Sequence, residues 1–533
     1  MSYTVVRNSL LSFFSDPPGT VTERGMLLSA LSLTVLLVGV VPLVTLITGF
    51  PLLAVVAIAG VVYAGWAVLT DNFLEGLCSG VIVLCTFQAE IPIAGISRGG
   101  QLGAYTLEIM LVDVAAVPLA VLLLVWTSAR FRLPTDRSAR IAGYALAGLV
   151  VWATIAAVMG DGPSTMMGLF FSVAQLRHLL LFGIAMVIGR YVGLRTVTYS
   201  LLIAVGGHVL FAIAEVFNRG SFGLSYLGEA SGYGFETFYI GPIAVTASTY
   251  AGGFAGIARI LTALLLLVIP IAVERVIRGS NWQQVLSLGF ITGGVFLLRV
   301  SATDSGWAAF LLTVPLMIGS VAYIHRTAEE DGLGLYDYAR GYATTVGAGL
   351  LSCLLFFSRT ASQEAPEPEP APEPVDGSGM LSRIDSEIII SMLDAVPLIN
   401  TGNLSIRVQQ YVAALEIGIT NPLFGIGGMN FSLVAQSYGV SRAISMHNVY
   451  LSFLVGTGIP GILLFVTSLL AVLVVAVKNA VTAIDEDRLL WAMIACGMLG
   501  FHAINFWIAA GEIGKVAYMT FWMLAGAVVG STK

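Results

Sequence analysis

The chain is dominated by long apolar runs, each close to the length of a helix that crosses a membrane. Such a helix needs about 20 mostly apolar residues. Of the 533 residues, 57% are hydrophobic and 11% are charged, whereas soluble domains carry about 25% charged residues. A chain of this composition cannot cover a water-facing surface, so we predict an all-α, multi-pass membrane protein. The net charge of −6 gives no support to nucleic-acid binding.

Reading the apolar runs by length divides the chain into about fourteen predicted membrane helices. Their approximate bounds are 26–48, 50–70, 74–94, 107–127, 141–160, 174–193, 196–216, 257–274, 284–300, 307–324, 341–358, 448–476, 489–509 and 513–530. Lys and Arg in short loops mark the cytoplasmic side of a membrane protein. With this segment count, the basic residues of the short loops all fall on one side, from Arg7 and Arg24 to Lys478. We therefore predict that both termini are cytoplasmic.

Two long connections then lie outside the cytoplasm, at about 217–256 and 359–447. The second contains EAPEPEPAPEP at 364–374, which is typical of a stiff, extended, acidic spacer. After it, apolar residues recur at helical spacing and predict an amphipathic helix at 404–418. The chain thus divides into an N-terminal bundle of about eleven helices (1–358), an outer loop (359–447) and C-terminal membrane helices (448–533).

A single histidine, His447, stands at the end of the outer loop, where the next membrane segment begins. A neutral imidazole can remove a proton from a sugar hydroxyl near physiological pH, although a lone histidine is more often structural. Asn448 follows it and could orient the ring or bind sugar, or simply cap the helix. His447 is therefore the candidate catalytic residue.

Four arginines lie at predicted outer helix ends, against the usual bias of positive charge toward the cytoplasm. They are Arg177, Arg259, Arg299 and Arg407. A guanidinium group binds phosphate oxygens through two hydrogen bonds and stays charged, so a substrate with phosphates would explain them. The alternative for each is an arginine that reaches toward lipid headgroups.

The motifs NPLFGIGGMNF at 421–431 and HNVYLSFLVGTGIPG at 447–461 resemble the signature of the O-antigen ligase and polymerase superfamily. The resemblance is strongest at 404–465 and extends over a core of approximately 240–470. An arginine commonly precedes the first motif in that family, as Arg407 does here. The segment AGGFAGIA before Arg259 resembles the family's glycine-rich entry to a membrane helix. SATDSGWAAF resembles another family segment but has Asp304 where the family has arginine, and Arg299 in the preceding turn is the nearest replacement.

The resemblance implies a membrane glycosyltransferase of the GT-C type, acting at the outer face of the cytoplasmic membrane. Its donor would be a glycan on a polyprenyl-diphosphate carrier, and its acceptor a hydroxyl of a glycan, lipid or protein. His447 would take the proton of that hydroxyl while Arg407 and Arg259 hold the leaving diphosphate. The expected transfer needs no metal or other cofactor, and the motifs do not distinguish a polymerase from a ligase.

Two other functional classes stay open at this point. A flippase or other transporter for lipid-linked oligosaccharides would also suit about fourteen helices, but it has little use for a long outer loop that ends in HNVYL. A membrane scaffold without catalysis would not explain why Arg259, Arg407 and His447 share one predicted face. The glycines around Asn421 either let substrate approach closely or return the loop to the bundle. Polar residues within membrane segments, such as His208 and His502, are expected to form internal hydrogen bonds.

Overall fold

The computed structural model describes most of the chain, in fifteen ranges: 22–69, 73–96, 105–127, 134–218, 220–229, 235–240, 243–248, 251–256, 258–300, 304–327, 334–357, 401–441, 445–483, 487–505 and 516–532. The predicted acidic spacer at 364–374 and the predicted cytoplasmic residue Arg7 lie outside these ranges. The first half of the chain contains α1 (Glu23–Thr48), α2 (Leu52–Leu69), α3 (Phe73–Leu84), β1 (Glu90–Ile96), β2 (Tyr105–Met110), α4 (Leu111–Thr127), α5 (Arg137–Met159), α6 (Thr165–Tyr191), α7 (Leu194–Asn218), β3 (Phe235–Ile240), β4 (Ile243–Ser248) and α8 (Ala258–Arg278).

The second half contains α9 (Asn281–Val300), α10 (Asp304–Thr327), α11 (Leu335–Phe357), α12 (Thr401–Thr420), a short α13 (Phe431–Val434), α14 (Val449–Thr482), α15 (Arg488–Ile504) and α16 (Val516–Gly530). Helix α1 includes a π-helical turn at Leu36–Val40. Each strand pair forms a two-stranded antiparallel hairpin, β1 with β2 and β3 with β4.

The helical membrane-protein class is confirmed, since every predicted membrane segment overlaps a helix. Within the described residues, 7 helices are long and apolar enough to cross a membrane. These are α1, α5, α6, α7, α8, Gly306–Thr327 within α10, and α14. Others, such as α3 and α16, are apolar but shorter, so the count of about fourteen spans stays a prediction. The amphipathic helix predicted at 404–418 is present as α12.

The segment predicted as one helix at 74–94 is instead a helix of 12 residues followed by strand β1. Pro92 explains part of this difference, because proline has no N–H to donate to a carbonyl one helical turn earlier. The chain also finds another backbone partner, since the N–H of Gln88 donates to the carbonyl of Phe254 (2.7 Å). The helix prediction was therefore wrong beyond residue 84.

Helices α8 and α16 form the centre of the bundle. Every residue of α16 is buried, as expected for a helix that is hydrophobic on all sides. It packs on α6 at very short distance because glycines lie at the contact. A Cβ atom at Gly526 would lie 2.2 Å from the carbonyl oxygen of Phe182, and one at Gly189 would lie 2.4 Å from that of Ala527. Close packing through small residues is a common way for membrane helices to associate.

Candidate functional site

The long helix α14 is interrupted by Gly458, whose φ of 68° and ψ of −171° are not helical. Pro460 follows and has no N–H to offer. In a membrane the backbone groups released by such a break need partners within the protein. The turn that begins at Asn421 supplies them: the N–H of Ile426 donates to the carbonyl of Val455 (2.8 Å), and the N–H of Ile459 donates to that of Pro422 (2.8 Å).

Glycine is needed where this turn and the broken helix meet, because backbone lies directly on backbone. A Cβ atom at Gly425 would lie 2.2 Å from the carbonyl oxygen of Val455, and one at Gly458 would lie 2.2 Å from that of Leu423. Gly428 is equally constrained, since its Cβ would lie 2.3 Å from the ring of Phe171. Of the two interpretations of these glycines, the geometry supports the structural one: they join the outer loop to the bundle.

Two side chains that the sequence did not single out as functional fasten the same turn to α5 and α6. Trp152 of α5 donates from its indole N–H to the carbonyl of Thr457 (2.9 Å), and its ring stacks on Phe424 with 5.3 Å between centroids. Asn430 accepts from the N–H of Ser164 (3.1 Å) and donates to its carbonyl (3.0 Å) just before α6 begins. These partners lie far away in sequence, so no local pattern could have revealed them.

His447 and Asn448 stand at the start of α14. The Asn448 side chain accepts from the N–H of Leu451 (3.0 Å) and caps the helix, and Asn448 is buried. Of the roles considered for Asn448, the geometry thus favours the helix cap, while a sugar contact stays a prediction. The N–H of Val449 donates to the carbonyl of Asn505 at the end of α15 (3.0 Å). His447 is therefore placed by a capped helix start that is also bonded to a neighbouring helix.

Helix α12 holds the segment before α14 through a buried glutamine, Gln410. Its amide oxygen accepts from the backbone N–H of His447 (3.2 Å), and its amide nitrogen donates to the carbonyl of Ser445 (2.9 Å). The same nitrogen lies 3.4 Å from Nδ1 of the His447 ring. Gln410 could not be identified from the sequence, because the only local signal is one polar residue on an amphipathic helix.

Arg259 and Arg407 both lie close enough to His447 for their charges to act on it. The pKa of His447 falls from 6.5 to about 4, first because the ring is largely removed from water and then because of the positive charges of Arg259 and Arg407. The three residues come from three elements: Arg259 from the first turn of α8, Arg407 from α12, and His447 from the end of the outer loop. The imidazole is consequently neutral at pH 7.

Arg259 follows a glycine-rich stretch, residues 251–256, which is held by hydrogen bonds to other parts of the protein. The N–H of Gly253 donates to the carboxylate of Glu215 in α7 (2.8 Å), and Glu215 is hydrogen-bonded to the side chain of Glu229. Glu229 in turn accepts from the backbone N–H groups of Phe222 and Leu224. Two buried carboxyl groups thus join residues 220–229 to residues 251–256, two stretches of the connection between α7 and α8, just before Arg259.

The other two candidate arginines make structural contacts. Arg299 is 6% exposed and donates from Nε to the carbonyl of Leu355 near the end of α11 (2.8 Å). Arg177 of α6 forms an ion pair with Asp113 of α4 (2.9 Å) and donates to the carbonyl of Glu108 (2.6 Å). Neither is among the groups that shift the pKa of His447. The geometry therefore favours Arg259 and Arg407 over Arg299 as substrate-binding residues, and the binding role itself stays a prediction.

The two histidines expected to form hydrogen bonds within membrane segments, His208 and His502, differ in their contacts. Nε2 of His208 lies 2.8 Å from the hydroxyl of Thr86, as expected. The ring nitrogens of His502 have no hydrogen-bond partner among the described residues, so the internal bond expected there is not seen. Among the same residues, no group of three or more His, Cys, Asp or Glu could hold a metal ion. Whether the chemistry needs a metal stays a prediction.

A comparison with family models matches residues 237–466 to the O-antigen ligase family. The matched region begins in the connection between α7 and α8, before Arg259, and includes Arg407, Gln410, His447 and the broken part of α14. A search of curated proteins found no match to this chain. The family match thus coincides with the region where the described structure gathers the candidate site. This match over residues 237–466 supports the assignment of the chain to the O-antigen ligase and polymerase superfamily.

Proposed function

We propose that this protein transfers a glycan from a polyprenyl-diphosphate carrier to an acceptor hydroxyl at the outer face of the cytoplasmic membrane. The observation that carries the proposal is the grouping of one neutral histidine with two arginines from separate elements. His447 supplies a base, and Arg259 and Arg407 supply fixed positive charge beside it. This combination suits a reaction in which a hydroxyl loses a proton while a diphosphate leaves.

In the proposed step, the acceptor hydroxyl gives its proton to His447 and its oxygen bonds to the anomeric carbon of the donor sugar. The bond between that carbon and the diphosphate oxygen breaks, and its electron pair stays on the diphosphate. Arg259 and Arg407 stabilise the growing negative charge, which guanidinium groups do through paired hydrogen bonds. The attack takes place opposite the leaving group, so the configuration at the anomeric carbon is inverted.

The low pKa of His447 suggests how donor binding prepares the base. An imidazole with a pKa of about 4 is neutral at pH 7 but binds a proton weakly. A diphosphate bound to Arg259 and Arg407 would offset their charges, and the pKa of His447 would then rise toward its ordinary value. The base would therefore be strongest in the complex that contains the donor.

The proposal includes two kinds of acceptor. A hydroxyl on a second lipid-linked glycan would make the protein a polymerase, whereas a lipid or protein acceptor would make it a ligase. The two activities share the chemistry above, because each joins a hydroxyl to the same activated sugar carbon. We include metal independence in the proposal, since two guanidinium groups already provide the positive charge that a metal ion could supply.

The test compares His447→Ala, Arg407→Ala and Arg259→Ala in cells, with surface glycan and lipid-linked intermediates as the two readouts. His325→Ala is the matched control, because this histidine stacks on Tyr338 near the end of α10. We expect the three site variants to lose finished glycan and to accumulate lipid-linked units that face outward, while the control resembles the wild type. Single repeat units would indicate a polymerase, and long chains a ligase.

Two results would contradict the proposal. Unchanged surface glycan in His447→Ala would remove the assigned base. Accumulation of lipid-linked units on the cytoplasmic face, rather than the outer face, would instead indicate a transporter for lipid-linked oligosaccharides.

A further inference from the structure

The orientation of the Gln410 side chain is determined by two backbone groups. A backbone N–H can only donate and a carbonyl can only accept. The amide oxygen of Gln410 must therefore face the N–H of His447, and its nitrogen must face the carbonyl of Ser445, as the distances of 3.2 Å and 2.9 Å show. Gln410 is fully buried, so water does not compete for either contact.

This arrangement also decides which side of the His447 ring faces the protein. Nδ1 lies 3.4 Å from the amide nitrogen of Gln410, and the backbone of Ser445 raises the pKa of His447 through a hydrogen bond, as a carbonyl that accepts from a ring N–H does. Nδ1 must carry the ring proton if Nε2 is to act as a base, so Nδ1–H is the group that faces the Ser445 carbonyl, to which the Gln410 nitrogen also donates (2.9 Å). Nε2, on the opposite edge of the ring, is then the nitrogen that can meet a substrate. In histidine catalysts the contact at one nitrogen commonly sets the role of the other.

We propose that Gln410 is a positioning residue, which orients the His447 ring so that Nε2 faces the acceptor hydroxyl. The inference rests on the proposed function, because it assumes that His447 is the base. Gln410 acts only through His447 and touches neither substrate.

The adjacent residue, Gln409, offers a matched control. It lies on the same helix and its amide oxygen accepts from the N–H of Ser441 (3.1 Å), so it also binds the loop before α14. This contact lies six positions before His447 rather than at it. The two glutamines therefore separate an effect on loop stability from an effect on the histidine.

The electrostatic surroundings of His447 make Gln410→Glu an informative variant. The charged groups that shift its pKa are Arg259 from α8 and Arg407 from α12, and both lower it. A glutamate at 410 keeps an acceptor for the His447 N–H and adds a negative charge beside Nδ1. An opposite charge within about 4–6 Å typically shifts a pKa by about 1–3 units, so the pKa of His447 should rise.

The experiment measures glycan transfer in purified full-length enzyme, per folded molecule, with a lipid-linked donor across a range of pH. Gln410→Ala should lower kcat by about 10- to 100-fold, the scale expected for a misplaced catalytic group, and should leave KM for the donor nearly unchanged. Gln410→Glu should retain more activity, and the acidic limb of its pH profile should move up by about one unit or more. Gln409→Ala should resemble the wild type in both respects.

The inference is overturned if both Gln410 variants keep the kcat and pH profile of the wild type, or if Gln409→Ala loses as much kcat as Gln410→Ala. His447→Ala in the same assay separates this failure from failure of the proposed function. If His447→Ala is inactive while the Gln410 variants are unchanged, only the positioning role is wrong. If His447→Ala still transfers glycan, the base assignment itself is wrong.

Discussion

Replacement of Gly458 by alanine tests whether the turn beginning at Asn421 depends on backbone contact with the broken helix. Gly458 has a φ of 68° and a ψ of −171°, a region that is essentially restricted to glycine and costs other residues about 1–3 kcal/mol. The added Cβ would also lie 2.2 Å from the carbonyl oxygen of Leu423 and 2.7 Å from that of Pro422. These neighbours are backbone atoms, so they cannot rotate away as a side chain could.

The expected loss combines conformational strain with one weakened hydrogen bond. Moving Pro422 away from the new methyl group lengthens the bond that it accepts from Ile459, now 2.8 Å, and such a bond contributes about 0.5–1.5 kcal/mol. Together with the strain at Gly458, a loss of about 3 kcal/mol is expected. For smaller soluble domains each kcal/mol lowers Tm by about 2–4 °C, so the variant should lose several degrees.

The assay is thermal unfolding of the purified protein in detergent, with Gly319→Ala of α10 as the matched control. No atom lies within 4 Å of a Cβ at Gly319, and alanine favours a helix by about 1 kcal/mol over glycine. The control should therefore keep or slightly raise Tm, while Gly458→Ala lowers both Tm and transfer activity. Equal stability of the two variants would refute the claim that backbone contact joins the turn to the helix.

Three further predictions use the same protein. In the pH dependence of transfer, kcat/KM should fall below about pH 4, where His447 of the free enzyme becomes protonated. The acidic limb of kcat should lie at higher pH, because bound diphosphate offsets the arginine charges. Acidic limbs of kcat and kcat/KM at the same pH would contradict this. Arg177→Ala leaves the carboxylate of Asp113 without its ion pair and should lower the free energy of unfolding by about 3 kcal/mol. The double variant Arg177→Ala with Asp113→Asn should lose less, and Tm measures both. Trp152→Phe keeps an aromatic ring but removes the N–H that donates to Thr457, so Tm should fall by the equivalent of about 1–3 kcal/mol.

The positions of the helices were predictable because each apolar run is long and is bounded by polar or charged residues. The predictions failed where tertiary contacts replaced local preference. Residues 85–94 read as the end of an apolar helix, yet Gln88 bonds to Phe254 from a distant connection. Pro92 was one local signal that the helix should stop. The sequence gives little indication of such a hairpin when its strands are as apolar as the neighbouring helices.

The sequence separated the candidate site residues only in part. The motif and its predicted place at the outer boundary singled out His447 as the candidate base, which stays a prediction. Position alone did not separate Arg177, Arg259, Arg299 and Arg407, since each lies at a predicted outer helix end. The family resemblance was what favoured Arg407 and Arg259. Only the folded chain shows that Arg177 pairs with Asp113 and that Arg299 bonds to a helix carbonyl. Pairing between distant elements leaves no local trace in one sequence.

The first part of α14, residues 449–457, explains how glycines distant from the chemistry can matter to it. A helix this short is marginal on its own, so its position depends on what holds its two ends. At one end, Asn448 caps it and Asn505 accepts from Val449. At the other end, Val455 and Thr457 accept from the outer turn and from Trp152. His447 directly precedes this short helix, so a change that loosens either end would move the proposed base relative to Arg259 and Arg407 without touching any of the three.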